Sequence, residues 1–188
     1  MKILFTHNNF PAQFRHIYRE LKENSYLDIK FLAIGAEWSN DINKEDLVRY
    51  NLGREQKGEL CHPYLKRFEK AVLVGQAAMR AALKLNQEGF EPDLIIGHSG
   101  FGSTLFLKEI WPQAKFLGYF EWFYKSSGSD VGYIEKGVVT PDAACRIHTY
   151  NAPILMDLAV SDKAVTPTIW QKKQFPDKWQ ETMEVIFD

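Results

Sequence analysis

A chain of 188 residues, 45% hydrophobic and 25% charged with a formal net charge of −1, has the composition of one globular domain with a full core. The near-neutral balance excludes a general nucleic-acid surface, which needs clustered positive charge. Two widely separated cysteines, Cys61 and Cys145, show no metal-ligand spacing and argue against a disulfide framework, which suits a reducing cytoplasm.

The opening MKILFTHNNF has too short an apolar run for a secretory signal, and no run approaches the ~20 apolar residues of a membrane span. The chain therefore reads as soluble and intracellular. Lys2 to His7 is a buried strand ending in the polar loop Asn8-Asn9-Phe10-Pro11. Phe14, Ile17, Tyr18 and Leu21 recur at helical spacing and give an amphipathic first helix. Leu27 to Ile34 is a second strand, and Leu47 to Leu52 a short third. Phe68, Val72, Gly75, Met79 and Ala82 mark one face of a long helix that Gly89 stops.

Pro92 to Gly97 is a further strand, followed by a helix from Ser103 to Trp111 and a strand from Ala114 to Tyr124. The polar stretch Ser126 to Gly137 is the candidate for a mobile loop over the sheet edge. Thr140-Pro141 starts a helix, with Thr as N-cap and Pro in the first turn, that Pro153 should kink or divide. Val165 to Thr168 is a strand, Ile169 to Gln174 a helical turn and Met183 to Phe187 a last strand. Strands alternating with helices, without hairpin signals, predict an α/β, Rossmann-like parallel sheet with helices on both faces.

The segment PDLIIGHSGFGSTLFLK, residues 92–108, carries the most chemistry. It brings a strand to a Gly-His-Ser-Gly turn at a helix start, and open α/β sheets bind ligands at the carboxyl ends of their strands. A nucleophile elbow would need glycine where Phe101 stands, and a dinucleotide fingerprint through Gly100 and Gly102 would need glycine at Leu105. Neither motif is complete. His98 is the candidate ligand-contacting side chain, with Ser99, Gly100 and Gly102 around it. In the first loop, Asn9 and Gln13 offer amides to hydroxyls or phosphate oxygens. Tyr119 and Glu121 end another strand amid aromatics, a setting suited to carbohydrate, whose C–H faces stack on rings while its hydroxyls donate to oxygens. Two alternatives stay open on residues alone: a small hydrolase with Ser99 as nucleophile and His98, His148 or His62 as base, and a non-catalytic sugar- or nucleotide-binding module.

As an ensemble, NNFPAQFRH at 8–16, HPYLKRFEKAVLVGQAAMRAA at 62–82, the 92–108 segment, GYFEWFYKSSGSDVGY at 118–133, RIHTYNAPIL at 146–155 and TPTIWQKKQFP at 166–176 carry a family likeness. The chain resembles the N-terminal, acceptor-side domain of a bacterial glycosyltransferase of family 4. That resemblance implies the first half of a GT-B architecture over residues 1–188, with the nucleotide-sugar half absent and the isolated domain inactive. It implies a retaining transfer from a nucleotide-sugar donor to a carbohydrate or lipid-linked acceptor, with no metal and no cofactor. A peripheral contact with the inner face of a membrane fits the same resemblance. By position His98 would lie near the transferring sugar, the loop Asn9 to Gln13 would face the donor phosphates, and Glu121 would bind acceptor hydroxyls. Glu37 and Glu45 match a spacing found in such enzymes, but here they sit in a polar loop and are read as coincidence.

Overall fold

The computed structural model describes residues 1–36, 44–56, 60–131 and 139–187. In chain order the strands are β1 (Lys2–Thr6), β2 (Asn9–Phe10), β3 (Asp28–Ala33), β4 (Gly35–Ala36), β5 (Leu47–Arg49), β6 (Leu94–His98), β7 (Lys115–Tyr119), β8 (Lys163–Thr166) and β9 (Met183–Val185). The helices are α1 (Arg15–Lys22), α2 (Lys66–Gln87), α3 (Leu107–Ile110), α4 (Pro141–Thr149), α5 (Ala152–Val160), α6 (Ile169–Lys172) and α7 (Asp177–Gln180). Seven strands form one parallel sheet in the order β5-β3-β1-β6-β7-β8-β9, and β2 and β4 pair as a small parallel annex.

The chain winds outward from β1 to β3 and β5, then returns to the other side of β1 and winds outward again. This reversal makes the gap between the carboxyl ends of β1 and β6 the topological switch point of a doubly wound fold. The strands read as continuous apolar runs because both faces are covered. Ile3 and Phe5 of β1 pack with Phe14 and Tyr18 on the α1 side, whereas Leu4 faces the opposite core with Val74, Ala78 and Phe116. Full burial of each such Phe or Leu contributes roughly 1.5–3 kcal/mol. Tyr18 also donates its hydroxyl to the buried carboxylate of Asp46 at 2.6 Å, which Lys22 meets from α1.

Several expected elements are shorter than their apolar patterns. The strand from Ala114 stops at Tyr119, which pairs with the last residue of β6, His98, and with Val165 next to the end of β8. Beyond it, the side chain of Asn151, 1% exposed, takes over: its Oδ1 accepts from the Tyr124 amide and its Nδ2 donates to the Tyr124 carbonyl, both at 2.8 Å. The helix expected from Ser103 begins only at Leu107, since residues 99–104 are tied into turns. Pro153 does divide its helix, sitting in the first turn of α5 where its missing N–H breaks no helical bond. The polar stretch read as a mobile loop lies partly outside the described residues, as does Glu37.

The turn after β6 is fixed by backbone meeting backbone. Gly102 has φ +100°, and a Cβ there would lie 2.0 Å from the carbonyl oxygen of Ala71 in α2. On the facing helix, a Cβ at Gly75 would lie 2.9 Å from the Gly102 carbonyl. Only glycine permits this seating. Gly102→Ala should therefore destabilise the domain by about 3 kcal/mol or more, read as a lowered urea midpoint; an unchanged midpoint would show that α2 yields freely.

Candidate functional site

Register and the two-residue strand period assemble the site. Thr6 pairs with Gly97 and His98 with Tyr119, so His7, His98 and Tyr119 fall side by side on the α1 face of the sheet. The His7 and His98 ring centroids lie 4.9 Å apart and nearly perpendicular. Phe101 stacks on His98 at 4.9 Å and Tyr119 lies against it at 5.2 Å. These rings leave His98 only 2% exposed.

Each imidazole is bonded. His98 Nδ1 lies 3.0 Å from the Ser99 carbonyl oxygen and Nε2 lies 3.1 Å from Glu121 Oε2. A carbonyl only accepts, so Nδ1 carries a hydrogen. The contact with Glu121 then needs a second hydrogen, on the ring or on the carboxyl. The hydrogen bond from His98 holds the Glu121 carboxyl below the usual carboxylate range, against the opposing effect of burial. Glu121, with 42% of its side chain exposed, is the member of the pair that meets solvent. His7 clamps its own loop: Nδ1 is 2.8 Å from the Asn9 carbonyl oxygen and 2.9 Å from the Asn9 amide. Burial, aided by the charge of His98, lowers the His7 pKa to about 4.

The turn carrying His98 is anchored by a residue that sequence reasoning missed. Asp157 of α5 is fully buried, and its Oδ2 accepts hydroxyls from both Ser99 and Thr104 at 2.7 Å. Burial raises its pKa to about 6, although these hydroxyls and the Gly100 amide favour the charge. In the sequence Asp157 is one acid on an otherwise apolar helix, PILMDLAV, and that misfit was the available signal. The Ser99 hydroxyl is thus committed to Asp157, and both ring nitrogens of His98 are bonded elsewhere. A Ser99–His98 nucleophile-base pair is not formed, which weighs against the hydrolase alternative.

The sequence candidates separate into groups. His98, Ser99, Gly100 and Glu121, with Trp122 and Tyr124, line one cleft of about 50 Å³ at the carboxyl rim. Tyr119 is buried beneath His98 as its support. Gly102 faces α2 rather than the cleft. Asn9 is exposed, with its side chain against Gly35. Gln13 and Tyr119 border a separate apolar groove of about 350 Å³ with Phe14, Leu117 and Val165. Among the described residues no three His, Cys, Asp or Glu side chains converge on a metal position, and no helix is long and apolar enough to cross a membrane.

A doubly wound parallel sheet with imidazoles and a carboxylate at its switch point defines a Rossmann-like α/β domain. The chain belongs to the glycosyl transferase family 4 group, whose family model matches residues 28–188. No curated protein matches it. In fold it is similar to the UDP-GlcNAc 2-epimerase from Methanocaldococcus jannaschii, with a TM-score of 0.50 and 13% identity over 99% of this chain and 45% of that one. It also matches the UDP-GlcNAc 2-epimerase from Neisseria meningitidis bound to UDP-GlcNAc, with a TM-score of 0.48 and 13% identity over 98% of this chain and 45% of that one. The chain thus spans less than half the length of these structures.

Two buried groups give stability opposite pH dependences. Between pH 3.8 and about 6 the unfolded chain releases the Asp157 proton while the folded chain keeps it, so stability falls as pH rises. Between about pH 4 and 6.5 the unfolded chain binds a proton at His7 that the folded chain refuses, so stability rises. Each effect amounts to about 3 kcal/mol across its window, and the two nearly cancel. Asp157→Asn, which keeps an oxygen for both hydroxyls, should unmask the His7 effect as a melting temperature that climbs from pH 4 to 6.5. A melting curve as flat as that of the parent protein would refute the assignment.

Proposed function

We propose that this domain is the N-terminal, acceptor-side half of a retaining glycosyltransferase of GT-B architecture. It serves transfer of a sugar from a nucleotide-sugar donor to a carbohydrate or lipid-linked acceptor. The observation that carries this reading is the His98–Glu121 pair at the switch point of a family 4 domain. A second Rossmann-like domain would close over this rim and hold the nucleotide. The reading calls for no metal and no cofactor, and it allows the enzyme to work in the cytoplasm or at the inner face of a membrane.

An incoming hydroxyl that donates to Glu121 and accepts from His98 Nε2 can replace the direct 3.1 Å contact between them. The proton between ring and carboxyl is then held at the reacting sugar, where developing charge is stabilised by groups already in position. Phe101, Tyr119 and His7 keep the His98 ring from turning. Ser99 and Gly100 shape the cleft wall; in this reading Asn9 and Gln13 serve the donor phosphates, with Gln13 standing on the neighbouring apolar groove rather than in the cleft. Positioning and electrostatic stabilisation of the departing nucleotide diphosphate supply most of the rate.

Displacement requires donor and acceptor held together, so the 188-residue chain alone should give no turnover with a panel of nucleotide sugars. Turnover above a heat-killed control would overturn the half-site reading. In an enzyme that joins this domain to its nucleotide-sugar half, His98→Ala should cut kcat by at least ~10-fold, and wild-type activity would remove His98 from the site.

A further inference from the structure

Two tryptophans from different elements meet, one of them on the wall of the cleft. Trp122 follows β7 and lines the cleft beside Glu121, and Trp170 stands in α6 just after β8. Their ring centroids are 5.2 Å apart, inclined by 49°. Trp170 is 50% exposed and its neighbour Ile169 64% exposed, an unusual amount of open apolar surface for so short a helix. Thr168 fixes that helix, its hydroxyl accepting from the Gln171 amide at 3.1 Å. Among the described residues neither indole N–H is hydrogen-bonded to the protein.

We infer that Trp122 and Trp170 form an aromatic subsite for a pyranose ring of the acceptor, which makes the acceptor's reacting end a saccharide rather than a lipid. The inference rests on the function proposed above and names the substrate class at that cleft. A pyranose presents one face of C–H groups and a rim of hydroxyls. Its face lies on the exposed Trp170 indole, a large apolar surface with one polar tip, which Trp122 backs at an inclination of 49°. Its rim meets Glu121 and the Tyr124 side of the same cleft. An acyl chain laid across Trp122 would instead strip water from the Glu121 carboxylate and return no hydrogen bond, which is unfavourable. Apolar walls with a few convergent polar groups are the usual make-up of a small-ligand site.

The test is saturation-transfer NMR and calorimetry on the intact chain with neutral disaccharides: cellobiose, maltose, lactose and N,N′-diacetylchitobiose. At least one should bind saturably, with contacts to the sugar C–H protons. Trp170→Ala should weaken that binding at least ~10-fold while Trp170→Tyr retains most of it, the pattern of a ring that stacks. Trp170 stands on the surface, so this variant should keep its fold even where Trp122→Ala does not. Absence of binding to all four sugars, or binding indifferent to Trp170→Ala, overturns the subsite. So does Trp170-dependent partition onto phosphatidylcholine–phosphatidylglycerol vesicles without sugar binding. Failure of the two readings separates: sugar binding that needs Trp170, in a full-length protein that never transfers sugar, keeps the subsite and removes the transferase. Transfer to a saccharide with a KM unaffected by Trp170→Ala removes the subsite alone.

Discussion

The cleft depends on one buried carboxylate. Asp157 ties two hydroxyls of the 99–104 turn to α5, and the same turn is seated on α2 through the close approach of Gly102 to Ala71. The turn that follows His98 is thus held on both sides. Enclosing a carboxylate so deeply is unfavourable in itself, and its raised pKa records the cost. What the fold gains is a rigid wall beside the imidazole, the kind of fixed geometry that a reacting centre needs.

His7 and His98 divide the work around that wall. They are neighbours in register and nearly touch, yet burial keeps a proton off His7, while the His98–Glu121 contact requires one. A neutral imidazole can stand 4.9 Å from its partner without like-charge repulsion. His7 thus acts as a wedge that fixes the first loop, leaving Glu121 as the outward, solvent-reaching end of the pair.

Parallel pairing and the placing of a His-Ser-Gly turn at the carboxyl end of a strand follow from features visible in the sequence: apolar runs at strand length with helical stripes between them. The strand order was not visible there, because it is set by pairing between strands far apart in the chain. Less visible were the ends of elements. Ala114 to Tyr124 is apolar apart from Lys115 and Glu121, so its pattern could not reveal that β7 stops at Tyr119 and that Asn151 captures the chain beyond it. Asp157 was hidden for a related reason. Its partners lie more than fifty residues away, and a lone acid on an apolar helix becomes meaningful only once the turn it anchors is known. Gly102 looked like part of a ligand-binding loop because sequence shows a glycine's freedom but not the direction from which a neighbour approaches.

The alignment of Thr6 with Gly97 also bears on how such a domain can change over evolutionary time. Inserting or deleting one residue within either strand would send His7 or His98 through to the opposite layer, since consecutive side chains point to opposite faces. The two central segments are therefore length-locked, and the 99–104 turn that follows β6 is held to its length by Asp157 and α2. Among proteins that share this fold and pair of imidazoles, the two middle strands should hold a constant residue count.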